Sequence, residues 1–202
     1  IKSMGFWLMA WRKAGSTTLG SAGDTLTVSG MTANKFNQFL IHTIESGATT
    51  TLFRVGNGSL DTGSNYAYRY SGNGGADGTS TSVGYLINYW NGDVDSRFNV
   101  GHMINIPAEE KLYTGWLLEN VTAGAGNAPE RVENVGKWAN TSNQFDNIGE
   151  TNGGAGDYDT GSNITALGSD GKESLNVQDG AIYYETDTNK EFLLSNDIWT
   201  EL

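Results

Sequence analysis

The 202 residues include no cysteine, 28 glycines and only 2 prolines, with 11% aromatics, which excludes a disulfide scaffold or thiolate metal site and argues against a disordered chain. Residues 140–202 hold 12 of the 23 acids but only 2 of the 12 bases, so the formal charge of −11 sits mainly in the tail, and a nucleic-acid partner, which needs clustered cations, is not expected. The longest apolar run, residues 6–11, falls far short of the roughly 20 residues of a spanning helix, so no membrane insertion is expected either.

Taken in order, residues 1–14 read as an apolar arm. Phe6, Trp7 and Trp11 are its candidate assembly contacts, because a cluster this apolar is ordinarily covered by its own domain or by a neighbouring subunit. Leu26 and Val28 alternate after the turn at 20–23, and residues 35–44 are apolar enough for a strand buried on both faces. A short strand at 52–55 follows. Tyr66, Tyr68 and Tyr70 then share one strand face, with Ala67 and Arg69 on the other. Val83, Tyr85, Ile87 and Tyr89 repeat the period of two. Phe98, Val100, His102, Ile104 and Ile106 give the cleanest alternation, ended by Pro107, which cannot donate to a central ladder. Strands at 112–121, 131–138, 144–148 and 163–167 complete the set. Nine or ten short strands joined by Gly/Asn turns predict an all-β fold, a two-sheet antiparallel jelly-roll-type β-sandwich over residues 15–170. Residues 171–202 predict a small acidic β meander with too little apolar area to stand alone.

Few residues suggest chemistry. Asp-Thr-Gly-Ser-Asn occurs at 61–65 and again at 159–163. Asp-Thr-Gly-Ser is the loop of aspartic proteases, in which two carboxylates share a proton. Here no hydrophobic strand leads into either copy, so surface turns are the simpler reading and an aspartic-type hydrolase is the remote alternative. Asp157, Asp159 and Asn163 are weak calcium candidates, as are Asp187, Asn189 and Glu191. Gly161 and Gly168 stand at the fifth and twelfth positions of an EF-hand count from Asp157, so that loop is excluded. No metal or cofactor is expected. His42 and His102 lie inside strand patterns as core or interface residues. Tyr66, Tyr68, Tyr70 and Trp90, beside the glycine-rich loop 72–78, form a candidate glycan or partner contact. The plain alternative is that half of these rings are core.

The run Asp-Thr-Gly-Ser-Asn-Tyr-Ala-Tyr-Arg-Tyr from residue 61, continuing to Gly78, resembles a segment of virion-associated proteins of phages and marine viruses. Residues 15–24, 128–143 and 160–170 fit the same pattern, so the resemblance covers about 15–170. Residues 179–192, through Trp199, resemble a short β module at the ends of phage fibre and appendage proteins. The resemblance implies a non-enzymatic virion structural protein, as capsid, decoration or tail-fibre component. It implies a homo-oligomer, with a trimer favoured, and other virion proteins as partners. The particle exterior is the expected location, with a host-surface glycan as a further partner for host attachment. A carbohydrate- or receptor-binding module is the alternative, and the resemblance carries no catalytic residue.

Overall fold

A computed structural model describes residues 11–90, 96–170, 180–195 and 198–202, the side chains of 88–90 excepted. The described residues form no helix. Residues 11–170 make one compact unit, built from β1 (Arg12–Thr18), β2 (Thr25–Val28), β3 (Phe36–Ser46), β4 (Thr50–Gly56), β5 (Tyr66–Gly72), β6 (Gly78–Val83), β7 (Ile87–Trp90), β8 (Ser96–Ile104), β9 (Lys111–Asn120), β10 (Glu130–Trp138), β11 (Asn147–Asn152), β12 (Asp157–Tyr158) and β13 (Asn163–Ser169).

Four antiparallel pairs define the topology: β1 with β13, β2 with β11, β3 with β8, and β4 with β7. They nest as one long hairpin folded at its middle. Rolled up, that hairpin gives the orders β1-β13-β3-β8 and β2-β11-β4-β7 in two facing sheets, which is the jelly roll expected from the strand rhythm. Two hairpins depart from the minimal form. β5–β6 is inserted between β4 and β7, and β9–β10 between β8 and β11. Together they extend the larger sheet as β8-β9-β10-β5-β6, while β12 pairs with the end of β3. Residues 12–14 belong to β1, where Arg12 and Lys13 pair with β13 and Ala14 sits at a register shift, so they are sheet rather than arm. Trp11 lies just before that strand, partly exposed. Phe6 and Trp7 lie outside the described residues.

Between the sheets, Leu26, Phe39, Ile41, Phe53, Val55, Trp138, Phe145 and Ile148 form the buried core. The Phe39 and Phe53 rings sit 5.5 Å apart, joining the two sheets. Each such side chain contributes about 1.5–3 kcal/mol on burial. The strand at 35–44 is not buried on both faces. In β3, buried residues alternate with half-buried ones, so only its inner side is packed into the core.

The second set of described strands, β14 (Ile182–Glu185), β15 (Lys190–Ser195) and β16 (Ile198–Glu201), is the antiparallel meander expected from the tail. Asn189 takes the left-handed conformation (φ 57°) in its first turn, a position that asparagine tolerates. Tyr183 packs against Phe192 and Trp199, each ring 6.1 Å away.

Candidate functional site: an outward apolar sheet face and a buried ionic cluster

The cleanest alternation in the sequence points the wrong way for a lone sandwich. Binary patterning would turn Phe98, Val100, His102 and Ile104 of β8 toward the core. Instead Arg97, Asn99, Gly101 and Met103 face in, all buried, and the apolar set faces out. The next strand repeats this. In β9, Lys111, Tyr113, Gly115, Leu117 and Glu119 are buried, while Leu112, Thr114, Trp116 and Leu118 point to solvent.

The inward polar groups satisfy one another. Arg97 lies directly across the ladder from Glu119, which accepts from its Nε. Its Nη1 is 2.7 Å from Glu45 Oε1 and 2.9 Å from the hydroxyls of both Thr49 and Thr51. Glu45 also accepts from Thr43 and Thr49. Across the interior, Glu150 of β11 accepts from Asn99 Nδ2 at 3.1 Å. Two carboxylates thus share one guanidinium, Glu150 lies within reach of its charge, and all four groups are 8% exposed or less. Burial pushes the Glu150 carboxyl up to about 7 despite its bond from Asn99 and the charge of Arg97. Burial likewise raises Glu45, against the pull of Arg97 and the threonine hydroxyls. Burial also raises the phenols of Tyr113 and Tyr158, which border the cluster. The Tyr113 ring occupies the space over Gly101 and Gly115, where a β-carbon on Gly101 would come within 2.5 Å of it. The four ionisable side chains of this network are shielded from solvent and bonded across β3, β4, β8, β9 and β11.

The opposite side of the same strands is the exposed feature. Cross-strand partners share a face, so the register sets His42 beside Phe98, Leu40 beside Val100, Val100 beside Trp116, and Phe98 beside Leu118. No Asp, Glu, Lys or Arg occupies an outward position on β3, β8, β9 or β13. Phe98, Leu112, Trp116 and Leu118 are 39–54% exposed there, and Val135 of the adjoining β10 is 51% exposed on the same side. Where β9 meets β10 and β5, this face dips into a groove of about 390 Å³ lined by Ala67, Arg69, Leu112, Val135 and Lys137 among others. Its two cations are ion-paired, Lys137 with Glu110 at 2.7 Å and Arg69 with Asp77 at 3.2 Å.

Of the candidate contact rings, Tyr66 and Tyr68 are only 1% and 6% exposed and present no surface to a glycan. They lie on the inward face of β5. Tyr66 Oη donates to the Val55 carbonyl at 2.6 Å and lies 3.0 Å from that of Asp61. Tyr70 alone of the three is exposed, its ring tilted against that of Tyr68 with centroids 5.9 Å apart. The Trp90 side chain lies outside the described residues. His42 and His102 both fall on the outward face, half-buried and exposed respectively.

The two Asp-Thr-Gly-Ser-Asn turns do not meet. Asp61 follows the end of β4, with its amide on the Val55 carbonyl. Asp159 bonds Ile44, near the chain that enters β4. At about 3.3 Å per residue, that strand holds them on the order of 20 Å apart, so no shared-proton dyad forms. Asp61 instead accepts from Gly63 N (2.8 Å), Asn65 Nδ2 (2.9 Å) and Trp138 Nε1 (2.7 Å). Partial burial raises its carboxyl, but these three bonds outweigh it and hold the group below the usual carboxylate value. Asp157 and Asp159 flank the buried Tyr158, and Asn163 turns its amide to the Gly161 carbonyl at 3.2 Å. Among the described residues, no three His, Cys, Asp or Glu side chains converge as metal ligands.

Glu45, Arg97, Glu119 and Glu150 were not singled out by the sequence. Their one signal was period two: Glu45 continues the inward series Ile41, Thr43, and Arg97 begins the series Asn99, Gly101, Met103. Comparison with protein-family models, with curated proteins and with solved structures finds no match.

Proposed function

We propose that this chain is a non-enzymatic structural subunit that assembles with its own kind, as a capsid, decoration or fibre component on the exterior of a virion. The inversion of β8 and β9 carries this reading. Strands that turn arginine, asparagine and glutamate inward while holding phenylalanine, tryptophan and leucine in water gain their apolar burial only when something covers the outer side. The virion context rests on the resemblance of residues 15–170 and 179–199 to phage and marine-virus proteins. The net charge of −11 favours the outside of a particle over contact with a packaged genome. Sedimentation velocity of the full chain from about 1 to 100 µM tests the assembly. A concentration-dependent oligomer is expected, and a monomer throughout would end the proposal.

A further inference from the structure

We infer that the outward face of β3, β8 and β9 is a self-association surface on which a second copy of this chain docks face to face, with Trp116 near the two-fold axis. The inference rests on the assembly reading above and names its surface.

Charge is the first argument. A chain with a net charge of −11 repels its own copy, and like charges set together in an interface oppose pairing by several kcal/mol. The outward positions of β3, β8 and β9 contain no Asp, Glu, Lys or Arg, so two copies meet there without carboxylate repulsion. On the bordering β10, outward charges are already neutralised locally: Arg131 lies 3.6 Å from Glu133, and Lys137 holds Glu110. Such a margin has the arrangement of an interface, with an apolar centre and a paired polar rim.

Area is the second. Five side chains at 39–54% exposure leave roughly 400–500 Å² of apolar surface, given about 150–250 Å² per large ring. Adding the half-buried Leu40, Ile44, Val100 and Ile104 beside them, two facing copies bury on the order of 1,200 Å² in total, the lower bound of a stable specific interface. Because the same patch serves both partners, the contact is isologous and closes on itself. Aligned sheet-on-sheet packing, at about 10 Å, accommodates it. Trp116 stands at the centre, between Val100 and Glu133 across the ladders, and tryptophan is the residue type most enriched among interface anchors.

The test uses the full chain, two variants at outward positions of β9, and a cysteine control at the exposed loop residue Asn57. Sedimentation equilibrium of wild type and Trp116→Glu is expected to show a dissociation constant at least 30-fold higher for the variant, with an unchanged far-UV circular dichroism spectrum. Thr114→Cys, in a chain without native cysteine, is expected to join two copies through a short bismaleimide, which spans the roughly 10 Å between facing sheets, whereas Asn57→Cys is not; this pair decides the matter if Trp116→Glu misfolds. Self-association that persists unchanged in Trp116→Glu, with no Thr114→Cys dimer, overturns the surface and leaves the assembly reading intact. A wild type that stays monomeric at about 100 µM ends both. Flotation of a monomeric wild type with neutral phosphatidylcholine vesicles, lost in Trp116→Glu, overturns the second copy in favour of lipid.

Discussion

Replacing Glu150 by glutamine will stabilise the protein above neutral pH and leave it nearly unchanged in mild acid. Burial lifts this carboxyl from an ordinary 4.5 to about 7. An acid whose folded value is raised contributes fully below the unfolded value and loses that contribution as pH rises through the folded one. The window is therefore about 4.5 to 7. Across it, some 2.5 units at about 1.4 kcal/mol each remove roughly 3 kcal/mol from the wild type. Glutamine keeps the acceptor for Asn99 Nδ2 and never ionises, so the variant escapes that loss. Urea unfolding at pH of about 5 and about 8 measures it, and the variant is expected to gain about 2–3 kcal/mol at the higher value only. For a chain of this length the same change appears as a melting rise of roughly 6–10 °C. A variant that is weaker than wild type at the higher pH, or a difference that does not vary between the two, would refute the reasoning.

Other substitutions probe the same interior. Arg97→Leu strands Glu45 and Glu119 without their guanidinium and is expected to cost about 3–5 kcal/mol in urea unfolding; adding Glu45→Leu and Glu119→Leu together will restore most of it. Gly101→Ala forces the Tyr113 ring to move and is expected to lower stability by about 1–3 kcal/mol, read as a fall in melting temperature.

Much of the fold was legible because its signals are local. Gly/Asn turns and alternating runs mark the strands from Leu26 to Leu167, and a Tyr-rich run with the Asp187–Asn189 turn marks the meander. What period two leaves open is which face turns inward. In β8 the sets Phe98, Val100, His102 and Arg97, Asn99, Gly101 are equally periodic, and hydrophobicity alone selects the first for the core. The partner strands decide otherwise. Arg97 needs Glu45, Glu119 and Thr51, which are distant in sequence and meet only when β3, β4, β8 and β9 assemble. The buried cluster was therefore invisible locally, and so was its consequence, the apolar exterior. The tyrosines misled for a related reason: Tyr66, Tyr68 and Tyr70 do share a face, but that face looks into the sandwich for the first two.

Hydroxyl-radical footprinting of the full chain, at concentrations below and above its association midpoint, asks directly whether the exterior of β8 and β9 becomes covered. Phe98, Trp116 and Leu118 are expected to lose most of their reactivity as copies pair, while exposed Tyr70 keeps its own. Oligomers in which those three side chains label as readily as in the monomer would contradict it.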